Sequence, residues 1–404
     1  MSDIFDLNKN IPSYLNEEFF QEIYTDKNEE ILNLKIEGAS KPGDNFVGAV
    51  YRITLTTSSG VQQFIAKVPS TSGHETLHSY LSNDFVVDLF KCEIKVYQDI
   101  LPEMLKVWNS AGYDDVLCPR LVHQTVTPHP TIILEDLSPY GFTTLQNPIE
   151  DFNASLMVAK RLAKFHAASY YLVHEKNQDF SNFNNSVFNN EILSHVIYDM
   201  GLEGFTDVAS TKPSLIKYVE KLRKFHSEFR HLIDESYKPS DDGINVLCHN
   251  DFHLKNLLFN SDGNGKIEDF YMIDYQLCNY TSPAIDILYA LYYFVSSNNR
   301  QYHRDEFISA YYNQFRTSLN DFKFTKEIPS RKMLDNEIKK CGPFEISVAI
   351  CLTIFFYFDL KNLNPEDLDM AEGTKKSKLR MYENKEFLEM IEWQLEEFEA
   401  RGIL

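Results

Sequence analysis

Residues 245–260 read NVLCHNDFHLKNLLFN, and this segment guides the interpretation of the whole chain. An apolar run, residues 246–248, ends in a polar turn that contains His249 and Asp251. Asn256 follows, and a second apolar run begins directly after it. The spacing is therefore His-x-Asp-x-x-x-x-Asn, and the two apolar runs predict a short strand on either side of it.

A hairpin continues this segment. Residues 261–265 (SDGNG) are typical of a turn, and residues 271–273 (YMI) predict a strand that ends in Asp274. A carboxylate at a strand end can accept the proton of an attacking hydroxyl, and a carboxamide with a second carboxylate can bind Mg²⁺ through oxygen atoms. Asp251, Asn256 and Asp274 fit those three roles in order, which predicts a site for phosphoryl transfer.

Other interpretations of these residues remain open. A His-x-Asp pair alone is a weak signal, because short motifs recur by chance, and Asp274 alone would also fit a strand end. His249, Asp251 and His253 would suit a hydrolase metal site, since alternate residues of a strand share a face. No further His, Cys or Asp cluster at ligand spacing in the sequence supports that site. His253 is expected to pack beside the site or to contact substrate.

A second group of candidate residues lies earlier in the chain. Lys67 belongs to the apolar strand pattern of residues 61–68 (VQQFIAKV), where a lysine is expected to need a partner. Glu93, in the helical pattern of residues 84–105, is the candidate partner, although a solvated charge on a helix surface would also explain it. Lys67 would then bind the phosphates of a nucleotide.

Two loops complete the predicted nucleotide site. Gly43, Asn45 and Gly48 belong to GDNFVG, a loop between strand patterns that could cover phosphates and is also compatible with an ordinary hairpin turn. It is not a P-loop, because Ala-Val follows in place of Lys-Ser/Thr and a strand continues in place of a helix. Backbone groups of Glu135 and Leu137 could form a hinge that binds adenine, and an edge strand ending in a loop is the alternative.

Composition excludes several classes of protein. The 404 residues carry a formal charge of -20 with an isoelectric point near 5.0, which disfavours nucleic acid or an anionic membrane as the main partner. Six cysteines without a Cys-x-x-Cys pair suit a reducing compartment. The first twenty residues lack the pattern of a secretory signal, and the longest apolar run, 346–358, is too short to span a membrane. We therefore expect a cytoplasmic protein without an obligate protein partner.

The order of the patterns predicts an α+β fold with two lobes. Residues 1–137 are expected to form a small lobe with an antiparallel sheet, and residues 138–404 a larger, mainly helical lobe. The junction is expected near residues 136–142, where Pro139 and Gly141 provide a connector. Strands of the first lobe are predicted at 33–39, 46–57, 61–68, 120–125 and 131–134.

Taken together, these motifs resemble the ecdysteroid kinase-like family of insects, which is related to choline kinases and aminoglycoside phosphotransferases. The resemblance extends from about residue 36 to residue 398. It implies a protein-kinase-like fold, with ATP and Mg²⁺ as cofactors. The matching segments are GDNFVGAVYRI, FIAKVP, FKCEIKVYQDILP, TIILEDLSPYGF, LAKFHAAS, VLCHNDFHLKNLLF and MIDYQLCNYTSPAIDILYAL.

The resemblance also implies a role for each site residue. Asp251 is similar to the catalytic base of the family, with Asn256 and Asp274 as Mg²⁺ ligands. Lys67 is similar to the phosphate-binding lysine that pairs with a glutamate, here Glu93. The remaining implied roles are structural: Asp286 would brace the catalytic loop, His249 would be its supporting histidine, and Asn250 stands where related proteins usually have glycine. Asparagine tolerates unusual backbone angles, so little loss of function is expected from that departure.

The nature of the acceptor is constrained by one short segment. Only eleven residues separate Asp274 from Asp286, which leaves no room for the long activation segment of a protein kinase. The acceptor is therefore expected to be a small alcohol, and the resemblance implies an ecdysteroid. A xenobiotic or choline-like alcohol is an alternative acceptor. A non-catalytic pseudokinase is a further alternative, against which the complete set of Lys67, Asp251, Asn256 and Asp274 argues.

Overall fold

The structure is a computed structural model, and it describes residues 7–24, 30–39, 48–69, 82–357 and 380–404. The chain forms two compact units. Unit 1 comprises the described residues of Met1–Pro102, Val116–Thr144 and Leu257–Gln276. Unit 2 comprises those of Glu103–Asp115, Leu145–Asn256 and Leu277–Leu404.

The main sheet of unit 1 has five antiparallel strands: β1 (Ile31–Gly38), β2 (Gly48–Thr57), β3 (Gly60–Pro69), β4 (Leu121–Thr125) and β5 (Thr131–Glu135). Their order across the sheet is β1-β2-β3-β5-β4. Tyr51, Ile53 and Leu55 of β2 are buried and alternate with partly exposed residues, as expected for a strand with one face on a core. The predicted strands are thus confirmed over their described residues.

The N-terminal segment covers one face of this sheet. Helix α1 (Glu17–Tyr24) contributes Phe20, which packs in the core with Leu15 and the buried residues of β2 and β3. The hydroxyl of Tyr51 donates to the backbone carbonyl of Asn10 at 2.8 Å. The segment is therefore attached by apolar burial and by hydrogen bonds.

One long helical run follows the sheet's first three strands. It consists of α2 (Asn83–Lys95), a π-helical turn (Val96–Ile100) and α3 (Leu101–Ser110). The run begins at Ser82, whose side chain accepts a hydrogen bond from the backbone N–H of Phe85, as an N-cap does. The single helix predicted over residues 84–105 is confirmed, apart from the π turn.

The predicted hairpin belongs to unit 1. Its strands are β7 (Leu257–Ser261) and β8 (Ile267–Met272). Thr143 and Phe259 exchange two backbone hydrogen bonds of 2.9 and 2.7 Å, and the N–H of Met272 donates to the carbonyl of Leu117. These bonds group the hairpin with residues 116–144.

Unit 2 is mainly helical. Its described α-helices include α4 (Phe152–Lys176), α5 (Glu191–Ser194), α6 (Met200–Ala209), α7 (Val219–Tyr237), α8 (Ala284–Tyr293), α9 (Ser297–Asp321), α10 (Arg331–Lys340), α11 (Gly342–Ser347) and α12 (Lys385–Ala400). The long helices α4 and α9 pack against each other. Two three-residue strands, β6 (Val246–Cys248) and β9 (Asn279–Thr281), pair antiparallel beside them.

The predicted boundary after residue 137 stays a prediction, and each of the two compact units is built from more than one segment of the chain. The hairpin of residues 257–276 groups with unit 1, and residues 103–115 group with unit 2. Residues 103–115 group with unit 2 because they contact α4. Trp108 Nε1 donates to the carbonyl of Lys164, and the Asp115 carboxylate pairs with Arg161 at 2.9 Å and with Lys164. Such contacts between distant segments have no local sequence signal.

The C-terminus of unit 2 is held by a buried ionic cluster. The side chain of Glu345 is 1% exposed and accepts hydrogen bonds of 2.9–3.1 Å from the guanidinium groups of Arg304 and Arg401. Burial alone would raise the pKa of Glu345, but the two arginines hold this pKa below its ordinary value. The residues after α12 are thereby tied to α11.

All six cysteines are free thiols and are buried. Burial raises the pKa of Cys118 and of Cys341 to about 12, so both remain protonated at neutral pH. Within the described parts of the chain, no helix is both long enough and apolar enough to cross a membrane.

Candidate functional site

Lys67, Glu93 and Asp274 meet within unit 1. The Nζ atom of Lys67 on β3 lies 2.6 Å from Oε2 of Glu93 on α2 and 2.6 Å from Oδ1 of Asp274. Oε1 of Gln276 lies 3.4 Å from the same nitrogen. The predicted pair of Lys67 with Glu93 is therefore present, and the alternative of a solvated Glu93 is wrong, because its side chain is 1% exposed.

Local backbone structure aims the two carboxylates at the lysine. Strand β8 ends at Met272, and Asp274 then takes a left-handed conformation with φ 66°, which reverses the chain. The next residue, Tyr275, packs edge-on against Tyr97 of the α2–α3 run at 5.3 Å and donates its backbone N–H to Glu93. The segment after β8 is thereby attached to the helix that carries Glu93.

In this group one cation, Lys67, faces two carboxylates, so negative charge is in excess. Burial alone would lower the pKa of Lys67, but Asp274 and Glu93 hold this pKa above its ordinary value. Burial raises the pKa of Glu93 to about 7, and the charge of Asp274 adds to this effect against the opposing charge of Lys67. Lys67 is therefore a fixed positive charge whose two partners carry more negative charge than it offsets, and further positive charge would be favourable there.

The glycine loop is described only at its end. Gly48 begins β2 beside Lys67, and a Cβ atom on Gly48 would lie 3.0 Å from the carbonyl oxygen of Val68 and 3.5 Å from Cγ of Lys67. At Gly48 the backbone of β2 thus approaches the backbone of β3 closely, next to the predicted phosphate-binding lysine. Gly43 and Asn45 lie outside the described residues.

The predicted hinge follows β5. The carboxylate of Asp136 accepts a 2.7 Å hydrogen bond from Nε of Arg52 on β2 and another from the backbone N–H of Ser138. Asp136 thereby attaches this segment to β2. The carbonyl of Leu137 accepts from the N–H groups of Tyr140 and Phe142. Glu135 pairs with Phe64 at the end of β5. Binding of adenine by the backbone of Glu135 and Leu137 stays a prediction.

In unit 2, Asp251 is held from two sides. The amide nitrogen of Asn256 lies 2.9 Å from the Asp251 backbone carbonyl and 2.9 Å from its Oδ2 atom. Both amide hydrogens of Asn256 are thus used, which leaves its Oδ1 oxygen as the group that a cation would bind. Nε2 of His253 lies 3.3 Å from Oδ1 of Asp251. Burial alone would raise the pKa of Asp251, but His253 and His249 hold this pKa below its ordinary value, so the carboxylate is ionised at neutral pH.

The loop that carries Asp251 is braced by Asp286 of α8. Oδ2 of Asp286 accepts the backbone N–H of His249 at 2.6 Å, and Oδ1 accepts the N–H of Asn250 at 2.8 Å. Asp286 is fully buried, and so is His249, whose ring packs 5.8 Å from that of Phe252. His249 therefore lies in the core beneath the loop, and its supporting role stays a prediction.

Asn250 has an unusual backbone angle, of the kind that asparagine tolerates better than most residues. Its φ is 64°, in the left-handed region that glycine and asparagine tolerate. Its side-chain nitrogen donates to the backbone carbonyls of Asn185 and Leu277 at 2.9 and 3.0 Å. The asparagine thus adds two bonds to the loop that a glycine would lack.

Sequence reasoning missed the side chains behind Asp286. His166 of α4 contacts Asp286 Oδ2 through Nε2 at 3.0 Å and the Tyr311 hydroxyl through Nδ1 at 2.7 Å, and all three residues are buried. A histidine inside the apolar pattern LAKFHAAS was the available signal, but such a residue is more often an ordinary core residue. Its partner is 120 residues away and has no local signature.

The alternative of a metal site at His249, Asp251 and His253 finds no support. Among the described residues, the group of three or more potential ligands close enough to share an ion is His166, Cys248 and Asp286. His166 and Asp286 already bind each other, and Cys248 donates to the carbonyl of Ser282 at 3.2 Å. The polar groups of this cluster are thus satisfied within the protein.

A buried lysine–glutamate pair beside a carboxylate, and a His-x-Asp loop braced by a buried aspartate, are the parts of a kinase-like protein. The chain belongs to the ecdysteroid kinase-like family, whose sequence model matches residues 42–324. An uncharacterized kinase-like protein of Caenorhabditis elegans is 27% identical over 155 residues, which span 36% of this chain and 38% of that relative.

Three solved structures are similar to the chain at low sequence identity. An ethanolamine kinase of Plasmodium vivax is 12% identical, with a TM-score of 0.36, and the match covers 88% of this chain and 79% of that one. An ADP-bound aminoglycoside phosphotransferase is 15% identical, with a TM-score of 0.38 and coverage of 85% and 100%. A microcompartment-associated aminopropanol kinase is 11% identical, with a TM-score of 0.42 and coverage of 90% and 94%.

Proposed function

We propose that the protein transfers the γ-phosphoryl group of ATP to a hydroxyl group of a small molecule. The observation that carries this proposal is the contact of Lys67 Nζ with both Glu93 and Asp274 at 2.6 Å. Two carboxylates from separate elements are held at one buried ammonium group, and placing these charges together away from water costs free energy. Membership of a kinase-like family supports the same conclusion.

Asp251 is the proposed catalytic base. Its carboxylate is ionised, 22% exposed and fixed by its neighbours, so it can accept a hydrogen bond from an acceptor hydroxyl and take up its proton. A strong base is unnecessary, because phosphoryl transfer passes through a loose transition state in which positioning contributes most. Asp286 and Asn250 would keep the loop in place during turnover.

Asn256 and Asp274 are the proposed Mg²⁺ ligands. Both offer oxygen atoms, which this ion prefers, and the two amide hydrogens of Asn256 are directed at Asp251 so that its Oδ1 remains for the ion. Bound Mg²⁺ would offset charge on the β- and γ-phosphates. Lys67 and the loop that ends at Gly48 would bind the phosphates, and the backbone at Glu135 and Leu137 the adenine.

A small alcohol is the proposed acceptor, and an ecdysteroid is the first one to test. The eleven residues between Asp274 and Asp286 are taken up by a 3-10 turn, strand β9 and the start of α8, which leaves no segment to hold a peptide. The family name supports an ecdysteroid. We propose a cytoplasmic enzyme, consistent with six free, buried thiols.

Product identification tests the proposal. The full chain is incubated with ATP, Mg²⁺ and a panel of ecdysteroids, choline-like alcohols and xenobiotic alcohols, and products are identified by mass spectrometry. We expect one acceptor class to gain a phosphate. Asp251→Asn should lose roughly 10²–10⁴-fold in kcat, whereas Asp242→Asn, an exposed aspartate, should match the wild type.

Nucleotide binding separates the alternatives. A shift of Tm by Mg·ATP with no product from any acceptor would support a non-catalytic binding protein. Transfer to a choline-like or xenobiotic alcohol alone would keep the phosphotransferase and reject the ecdysteroid. No Tm shift and no product would contradict the proposed function itself.

A further inference from the structure

His253 is the second residue after Asp251, and its ring has a defined orientation. The backbone N–H of Lys255 donates to Nδ1 of His253 at 3.2 Å. In the neutral ring a nitrogen that accepts a hydrogen bond carries no hydrogen, so the hydrogen is on the other nitrogen, Nε2. Nε2 lies 3.3 Å from Oδ1 of Asp251 and 3.4 Å from the amide nitrogen of Asn256. Because that amide nitrogen donates to Asp251, the carboxylate is the acceptor within reach of the Nε2–H group.

The two oxygens of Asp251 have separate donors. Oδ1 faces Nε2 of His253, and Oδ2 accepts from the Asn256 amide at 2.9 Å. A carboxylate held through one oxygen can rotate about its Cβ–Cγ bond, whereas a carboxylate held through both is fixed in plane and direction. Each oxygen keeps a further lone-pair direction for an acceptor hydroxyl.

The position of the His253 ring is fixed by its surroundings in unit 2. Its backbone belongs to a tight turn, because its N–H donates to the Asp251 carbonyl and its carbonyl accepts from the N–H of Asn256, both at 3.0 Å. Its ring packs 5.7 Å from that of Tyr293 on α8, and Tyr293 in turn packs 5.2 Å from Phe356. The side chain is 24% exposed, so it lies at the surface that Asp251 presents and not within the core.

We propose that His253 is a positioning residue that orients the Asp251 carboxylate toward the acceptor hydroxyl through its Nε2–H group. This proposal rests on the proposed function of Asp251. It predicts a residue whose loss reduces the rate of transfer and leaves nucleotide binding largely intact. Its contacts are with the base, the loop backbone, the aromatic ring of Tyr293 and the amide nitrogen of Asn256 at 3.4 Å, and this last contact does not involve Oδ1 of Asn256, the proposed ligand of the ion.

Three substitutions separate this role from simple packing. The Nε2 atom of glutamine reaches about as far as Nε2 of histidine, whereas the Nδ2 atom of asparagine matches Nδ1, which faces Lys255. Phenylalanine keeps the ring against Tyr293 and removes the donor. We expect His253→Phe and His253→Asn to lower kcat about 10–100-fold, the effect of a lost hydrogen bond to a charged group, with KM for ATP within about two-fold. His253→Gln should remain within about three-fold of the wild type.

The pattern across the variants decides the outcome. If His253→Phe transfers phosphate as fast as the wild type, the donor has no role and the proposal is overturned. Equal losses in the Gln, Asn and Phe variants, or a large rise in KM for ATP, would mean that the histidine matters for the shape of the loop, which also overturns it.

A measurement without turnover makes the test independent of the proposed function. In the full chain labelled with ¹⁵N-histidine, the His253 resonances are those lost in His253→Gln. We expect hydrogen on Nε2 and a shift of that resonance in Asp251→Asn. Hydrogen on Nδ1, or no response to Asp251→Asn, would contradict the contact. A wild type that binds Mg·ATP but phosphorylates nothing contradicts the proposed function, while the NMR result still decides the His253–Asp251 bond.

Discussion

The Asp286 carboxylate accepts the backbone N–H of His249 at 2.6 Å, inside a region that water does not reach. The same carboxylate accepts the N–H of Asn250 and contacts His166. One buried side chain thus satisfies two backbone donors of the loop that carries Asp251, and its loss would leave them unpaired.

Asp286→Ala should therefore be costly for both stability and turnover. Hydrogen bonds to a charged group contribute about 1.5–3 kcal/mol each, so we expect the free energy of unfolding to fall by about 3–5 kcal/mol. Urea unfolding measures this change, with Asp242→Asn as the exposed control. A loss below about 1 kcal/mol would mean that the loop does not depend on this brace.

Glu93 should make stability depend on pH between its ordinary and its folded pKa. Burial raises the pKa of Glu93 from 4.5 to about 7. The folded state therefore holds a proton that the unfolded state releases, and the stability from this group is complete below pH 4.5 and lost as the pH rises through 7. We expect the wild type to lose stability relative to Glu93→Gln across that window, measured by urea unfolding at several pH values. A constant difference would contradict the raised pKa.

Lys67→Met removes the cation between two carboxylates. Glu93 and Asp274 would then face each other without compensation, which we expect to cost about 3–5 kcal/mol. The stabilisation by Mg·ATP should also disappear from the Tm. Adding Glu93→Gln removes one buried charge and should restore part of the stability without restoring nucleotide binding. Lys91→Met, an exposed lysine on the same helix as Glu93, is the control, and equal behaviour of the two lysine variants would refute the assignment of Lys67.

The ionic cluster at Glu345 should govern acid stability of the C-terminal segment. Because Arg304 and Arg401 lower the pKa of Glu345, its contribution is present above the ordinary value of 4.5 and is lost as the pH falls through the folded value. Glu345→Gln leaves Arg304 and Arg401, whose side chains are 16% and 26% exposed, with Glu397 as their remaining carboxylate partner, and should cost about 2 kcal/mol at pH 7. The difference from the wild type should shrink below pH 4. If the difference in free energy of unfolding between the wild type and Glu345→Gln grew on acidification, the ionic cluster would not be its source.

Gly48→Ala tests the close approach beside Lys67. The added Cβ would lie 3.0 Å from the Val68 carbonyl oxygen, a tight contact, and 3.5 Å from Cγ of Lys67, an ordinary one, so the backbone of β3 must give way slightly. We expect a loss of about 1 kcal/mol in stability and a rise of KM for ATP, because β3 carries Lys67. The matched control is Gly263→Ala in the β7–β8 turn, where a Cβ would meet nothing within 4 Å. Similar KM values for both variants would mean that Gly48 has no part in nucleotide binding.

Local patterns predicted the fold where the determining interactions are local. The β2–β3 hairpin, the helical run after residue 83 and the β7–β8 hairpin follow from alternation, periodicity and turn residues close in sequence. The three-residue strand β9 and the attachment of residues 103–115 to α4 depend on partners far along the chain. No pattern within a short window specifies those partners.

The candidate site shows the same division. Lys67 and Glu93 could be paired from sequence, because a lysine in an apolar strand needs a counter-charge and the spacing of Phe90, Glu93 and Ile94 buries one helix face. The left-handed backbone of Asn250 was also predictable from residue type. The contacts of His166 with Asp286 and Tyr311 could not be predicted from the sequence, because the three residues lie on three different helices. The orientation of His253 likewise depends on backbone geometry that a sequence does not display.

The six buried thiols provide a set of reporters that the protein already contains. Cys92 and Cys118 belong to unit 1, whereas Cys248, Cys278, Cys341 and Cys351 belong to unit 2. A thiol inside the folded protein is shielded from an alkylating reagent and reacts when its surroundings open. The order in which mass spectrometry finds these cysteines modified would therefore record which unit opens first, with no label or substitution introduced.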